Sequence, residues 1–201
     1  MFISFEGTEG VGKTTLIRRI FEYLQTQGQD VVLTREPGGT PMAEKIRNLL
    51  LSVDEEPMAN DTELLLMYAA RAQHVQQVIA PALAAGKTVL CDRFTDASFA
   101  YQCAGRGLSA EKLALLNDHF VSIMPQLTFW LDAPTELGMS RARARGALDR
   151  FEQEKAIFFE KVRAGYADLH QQQPARIKRL DATQSADQVF AQALAQLQQA
   201  L

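Results

Sequence analysis

The stretch Gly7-Thr8-Glu9-Gly10-Val11-Gly12-Lys13-Thr14 constrains this chain more than any other. It fits G-x-x-x-x-G-K-[ST] and lies between the apolar run FISF and a segment with helix periodicity. Glycines let the backbone curl until successive N–H groups point into one concavity. That concavity and the helix N-terminus behind it suit a phosphate. The pattern arises by chance in roughly one chain in a hundred of this length, and the strand-loop-helix setting that the mechanism requires lowers those odds further. Lys13 is expected to reach the outer phosphates of a nucleoside triphosphate, with the Thr14 hydroxyl on Mg²⁺ and Thr15 continuing into the helix.

The rest of the chain supplies the sheet that such a loop needs. FISFE, DVVLT, KTVLCD, LTFWLD and RIKRLDA read as five short, mostly non-alternating strands. Between the first two, Leu16, Ile20 and Leu24 fall on one face of a helix that Gly28 ends. Pro41 suits the first turn of a helix running to about Leu51. A long helix follows, capped by Asp61 and ended by Gly86, with Pro81 inside it as a kink or a division. A last helix begins at Ala186. Alternating buried strands and helices predict an α/β fold: a five-stranded parallel sheet flanked by helices, in one domain over 1–201.

Composition narrows the setting. A net charge of −3 and a pI near 5.7 give no basic coat for nucleic acid or a membrane surface. The two cysteines, Cys91 and Cys103, make no disulfide framework and no zinc spacing, and Cys91, at the end of an apolar run, reads as a buried reduced thiol. The first residues read as a strand with no basic stretch, and no apolar run approaches the ~20 residues of a membrane span. A cytoplasmic protein without leader or anchor is expected.

Four stretches carry chemistry beyond the loop. TREPGGT (34–40) follows the second strand; Pro37-Gly38-Gly39 makes a turn on any reading, while Arg35 and Glu36 are the excess. Asp92 and Arg93 end the third strand, at the carboxyl edge where open α/β sheets bind ligands. An Asp there can hold Mg²⁺ or its water, and an Arg can bridge phosphates. Ser98, Tyr101 and Gln102 fall on one helix face, and Gln102 carries both a donor and an acceptor for a base edge. Arg71 of YAAR, taken alone, reads first as a solvated helix charge. Arg141, Arg143, Arg145 and Arg150 concentrate positive charge in SRARARGALDR, either as a solvated helix end or as a segment closing over phosphates.

Taken together, EGTEGVGKTT, TREPGGT, YAAR, DRFTDASFAYQCAGRGL and RARARGALDRFE resemble the thymidylate kinase family, in order over most of the chain. The resemblance implies a kinase that moves the γ-phosphoryl of ATP to dTMP with Mg²⁺, usually as a homodimer. It implies an ATP loop from Gly7 to Thr15, with Thr14 and Asp92 as metal residues. It places Glu9 at the dTMP sugar and phosphate, Arg35 and Arg93 as phosphate clamps, and Arg71 at a thymine carbonyl. Ser98 and Gln102 match the base-edge positions, and Tyr101 lies beside the sugar. No basic residue precedes Lys13 in the loop, whereas the segment at about 141–155 is rich in arginine. That resembles the bacterial class with catalytic arginines in a lid, and Arg145 and Arg150 are the expected pair.

Two positions depart from the family pattern. Met67 stands where relatives carry a phenylalanine that stacks on thymine, so either Met67 or the following Tyr68 takes that contact. Cys103 replaces a glycine. A kinase of the same fold with another nucleotide or nucleoside acceptor is the alternative. A nucleotide-binding switch would need a guanine-reading motif such as N-K-x-D, which is absent.

Overall fold

The computed structural model describes residues 1–144 and 149–200. Strands β1 (Phe2–Glu6), β2 (Val31–Arg35), β3 (Thr88–Asp92), β4 (Leu127–Asp132) and β5 (Ile177–Asp181) form a parallel sheet in the order β2-β3-β1-β4-β5. The helices are α1 (Lys13–Thr26), α2 (Pro41–Leu51), α3 (Asn60–His74), α4 (Ala80–Ala84), α5 (Thr95–Ser98), α6 (Ala110–Phe120), α7 (Thr135–Arg143), α8 (Ala156–Gln172) and α9 (Ala186–Ala200). Two π-helical stretches, Val75–Ile79 and Phe99–Gly105, join α3 to α4 and extend α5. The expected five-stranded parallel α/β fold is present.

All five residues of β1 are buried, which is why its sequence is nearly continuous apolar. Ile3 and Phe5 pack with Leu16, Ile20 and Leu24 of α1 and with Val189, Ala193 and Leu197 of α9. Each large side chain buried there contributes about 1.5–3 kcal/mol. On the opposite face Phe2 packs with Val75, Ile79 and Phe94, while Trp130 packs with Phe158, Phe159 and Tyr166. Cys91 is buried among these apolar side chains, which raise its thiol pKa well above the ordinary range and keep it neutral.

The long helix differs from expectation in two ways. Its N-cap is Ala59, which accepts the Glu63 N–H, and Asp61 sits in the first turn paired with Lys112. The division that Pro81 suggested is present but falls before it: the helix passes into a π stretch at Val75–Ile79, and Pro81 lies in the opening turn of the short α4. Cys103 needs no glycine-like backbone, because it lies within the second π-helical stretch with a negative φ.

Candidate active site

The loops leaving β1, β2 and β3 open on one edge of the sheet, and a cavity of about 640 Å³ lies there. Parallel register explains the convergence: Asp92 pairs with both Phe5 and Arg35, so three strands end together.

The loop after β1 forms one end. Gly7, Gly10 and Gly12 have φ of 136°, 70° and 96°. A Cβ on Gly10 would lie 2.0 Å from the Gly138 carbonyl oxygen, so this glycine lets the loop pack directly on α7. Lys13 is buried and folds back, its Nζ donating to the carbonyls of Gly7 (3.1 Å) and Thr8 (2.9 Å). Burial first and Arg93 second lower its pKa from 10.5 to about 8. Glu9 through Thr15 line the cavity, whereas Gly7 and Thr8 stand behind it as the carbonyls that hold Lys13.

Arg93 occupies the middle. Among the described residues it is the only non-glycine with positive φ, at 69°, a conformation that costs about 1–2 kcal/mol. Its N–H donates to the Phe5 carbonyl at 2.9 Å. Nη2 meets Glu9 Oε1 at 2.8 Å, and Nη1 donates to the Tyr166 hydroxyl at 3.3 Å. Tyr101 donates to both Glu9 oxygens, at 2.8 and 2.9 Å. Burial and the neighbouring carboxylate hold the Tyr101 phenol well above its ordinary pKa, so it stays a donor. Tyr166 in turn donates to Glu6 Oε2 at 2.8 Å. Burial, with Asp96 adding to it, raises Glu6 from 4.5 to about 8.

Arg71 forms the far end. It is 2% exposed and makes three bonds: Nε to Glu36 Oε2 (2.6 Å), Nη1 to Ser98 Oγ (3.0 Å) and Nη2 to the Phe94 carbonyl (3.1 Å). Burial opposes its charge, and Glu36 more than offsets this, so its pKa is raised. Glu36 is itself held by His74, whose Nε2 meets Thr34 Oγ1 at 2.5 Å. Met67, Ser98 and Gln102 line the same wall. Tyr68 does not: it is buried toward α6, its hydroxyl 2.8 Å from Asn117 Oδ1 and its ring 4.8 Å from the Arg71 guanidinium. One residue of helix, about 100°, separates Met67 on the cavity from Tyr68 behind it.

Arg35 lines the cavity while Nη2 pairs with Glu44 at 2.9 Å. Arg47 also lines it, donating to the Pro37 carbonyl at 2.9 Å; no motif singled it out. Of the expected lid arginines, Arg145 lies outside the described residues. Arg150 is held off the cavity wall: Nε donates to the Leu50 carbonyl at 2.7 Å, Nη1 pairs with Glu63 at 2.8 Å, and its guanidinium covers the Phe151 ring. Arg141, a secondary choice in the sequence, lines the cavity. Glu36, singled out in TREPGGT, lines the cavity, whereas Glu63 and Tyr166 stand behind the wall and belong to no motif. Glu63 had a readable signal, since 63, 67 and 71 share one helix stripe.

Thr14 and Asp92 line the cavity together, and Asp92 Oδ1 is buried without a hydrogen-bond partner among the described residues. No cluster of three His, Cys, Asp or Glu side chains could cage a metal among the described residues. A hydroxyl and one orphaned carboxylate oxygen fit a hard divalent cation that completes its shell with phosphate oxygens and water. Among the described residues no helix is long and apolar enough to cross a membrane.

A family model described as thymidylate kinase matches residues 5–193. The thymidylate kinase of Acinetobacter baumannii (strain SDF) is 73% identical over 195 residues, covering 96% of this chain and 98% of the relative. That of Acinetobacter baylyi is 71% identical over 199 residues, 98% of each. The crystal structure of thymidylate kinase from Ehrlichia chaffeensis superposes with a TM-score of 0.80 at 33% identity, covering 98% of both chains.

Proposed function

We infer the chemistry of this cavity from one premise: the chain belongs to the thymidylate kinase family. The protein transfers the γ-phosphoryl of ATP to dTMP, giving dTDP and ADP. One observation carries the assignment of roles. A single cavity has the phosphate loop at one end and the Arg71–Ser98–Gln102 cluster at the other, with Arg93 between them.

In this reading residues 7–15 wrap the ATP phosphates, and Lys13 leaves its loop carbonyls to meet the β- and γ-oxygens. Arg93 spans donor and acceptor phosphates as a planar fork. Arg35, with Arg47 beside it, clamps the dTMP phosphate. Glu9 and Tyr101 face the sugar, and the Tyr101 ring leaves no room for a ribose 2′-hydroxyl. Arg71 donates to a thymine carbonyl; five N–H groups less three internal bonds leave it free donors. Ser98 and Gln102 read the base edge, and Met67 covers the thymine face. Thr14 and Asp92 would hold Mg²⁺, which when bound neutralises charge on the phosphates. Arg141 supplies donor-side charge in the described segment, and Arg145 joins it from the same arginine run. Phosphoryl transfer needs in-line positioning and charge stabilisation more than proton removal, so no general base is assigned.

The chain acts as a single cytoplasmic domain without nucleic-acid or membrane partners. A homodimer is proposed, supported by exposed Leu65 on α3 and exposed Leu115 and Phe120 on α6. Sedimentation at micromolar concentration tests it, and a mass near 22.3 kDa would exclude it.

The reaction is tested by ADP release with dTMP, dUMP, UMP, CMP and thymidine as separate acceptors. Strong turnover with dTMP and little with the ribonucleotides is expected. Turnover only with another acceptor would overturn the thymine roles while keeping the phosphate loop.

A further inference from the structure

Glu63 is 1% exposed and has no part in the cavity wall. Its Oε1 accepts from Gln102 Nε2 (2.8 Å) and Arg106 Nε (3.3 Å). Its Oε2 accepts from Arg106 Nη2 (3.1 Å) and Arg150 Nη1 (2.8 Å). Arg106 also pairs with Glu154, so two guanidinium groups face two carboxylates here, and both Glu63 oxygens serve as acceptors. Gln102 is also 1% exposed, lines the cavity, and its Oε1 has no partner among the described residues.

A primary amide has one donor end and one acceptor end, and either fits the same space. Left alone, Gln102 could flip and accommodate opposite base edges. The Glu63 carboxylate removes that freedom, because a flip would set Oε1 against an acceptor in a buried site.

We propose that Glu63 is a specificity-determining positioning residue: it fixes the Gln102 amide with its nitrogen inward, so that Oε1 offers the pyrimidine an acceptor. Thymine N3–H donates to that oxygen. The second hydrogen of Nε2 remains for the thymine O4, an acceptor. Cytosine carries a lone pair at N3 and an amino group at C4, so both contacts reverse. Rejection then comes from a repulsion that Glu63 prevents Gln102 from relieving. This proposal rests on the reading of Gln102 as a base-edge residue.

The test is the ratio of kcat/KM for dTMP to that for 5-methyl-dCMP, which keeps the methyl group and differs only at the N3–C4 edge. In Glu63→Gln the new amide can donate or accept, so Gln102 flips freely. The ratio is expected to fall roughly tenfold or more, with KM for ATP unchanged. Glu63→Asp keeps an acceptor-only carboxylate behind Gln102 and returns the ratio to within about threefold of wild type. A general loss of packing would give no such rescue, because the shortened Asp disturbs packing more than the isosteric Gln. A wild-type ratio in Glu63→Gln, or a ratio in Glu63→Asp no better than in Glu63→Gln, overturns the proposal. If Glu63→Gln does not fold, Glu63→Asp decides alone, a lost ratio overturning it. Gln102→Ala separates the two readings. A wild-type ratio there sinks the base-edge role itself, whereas a collapsed ratio there with an unchanged one in Glu63→Gln sinks only the role of Glu63.

Discussion

Glu9 and Arg93 meet as an ion pair at the centre of the cavity, Oε1 to Nη2 at 2.8 Å, although 84 positions separate them in the chain. The pair joins the phosphate loop to the end of β3. It also holds a guanidinium in the middle of the cavity, where the proposed reading puts phosphoryl transfer. Tyr166 supports the same guanidinium from α8, and the unusual backbone of Arg93 aims it. Arg93→Ala is expected to lower kcat by about a thousandfold or more, with the fold retained. Steady-state rates alongside thermal melting check this, and near-normal turnover would remove Arg93 from the reaction.

Arg71 lies at the other end of the cavity, the proposed thymine site. Arg71→Ala is expected to raise KM for dTMP more than tenfold, as expected for a lost charge-assisted contact, while KM for ATP stays within about twofold. It also leaves Glu36 with one buried partner fewer, so stability should drop by about 3 kcal/mol. Equal effects on both substrates would exclude Arg71 from the thymine site.

The proposed contact of Lys13 with ATP phosphates would link binding to protons. Without nucleotide its pKa is about 8, lowered from 10.5. Phosphates beside Nζ favour the charged form and move it back up. Binding near pH 8 therefore takes up roughly half a proton, and affinity weakens as pH rises through that value. Calorimetric titration of ATP in two buffers of different ionisation enthalpy measures the uptake. Lys13→Met should abolish it.

Glu6 sets a slope in stability. The unfolded chain titrates this group near 4.5 and the folded protein near 8. Between those values the folded state holds the extra proton, so the contribution of Glu6 to stability is lost as pH rises. The slope is about 1.4 kcal/mol per pH unit for one proton. Glu6→Gln should flatten this part of the profile, giving a melting temperature that falls less than wild type between pH 5 and 8. A parallel profile in both proteins would refute the burial argument.

The arginines of the 141–150 segment divide by their contacts. Arg141→Ala should lower kcat about ten- to a hundredfold with little change in stability. Arg150→Ala should instead cost about 1–3 kcal/mol, because the Leu50 carbonyl and Glu63 each lose a donor. Urea unfolding and kcat measured on both variants distinguish the two, and a larger kcat loss in Arg150→Ala would reverse the assignment.

Several features could be read from residue order because they depend on near neighbours. Hydrophobic spacing marks α1 through Leu16, Ile20 and Leu24. The glycines around Lys13 mark the loop, and a strand ending in Asp92 and Arg93 puts both on the ligand edge. Helix phase is harder to read from one chain. Met67 and Tyr68 are adjacent, and only the packing of α3 against α6 shows that Met67 borders the cavity. Arg150 belongs to the same basic run as Arg141, and its burial against Leu50 and Phe151 has no local signature.

The amino-acid order by itself determined the parallel α/β sheet, the glycine-rich loop around Lys13 and the strand ends that carry Arg35 and Arg93. Each follows from backbone periodicity and the few conformations open to glycine and proline. Tertiary structure alone decided which side chains hold Gln102 and Arg93 in place. Glu63 reaches Gln102 across 39 positions, and Tyr166 reaches Arg93 across 73. A buried polar group must find its partner wherever the fold brings one, and such pairings across distant segments leave no period or spacing in a single sequence.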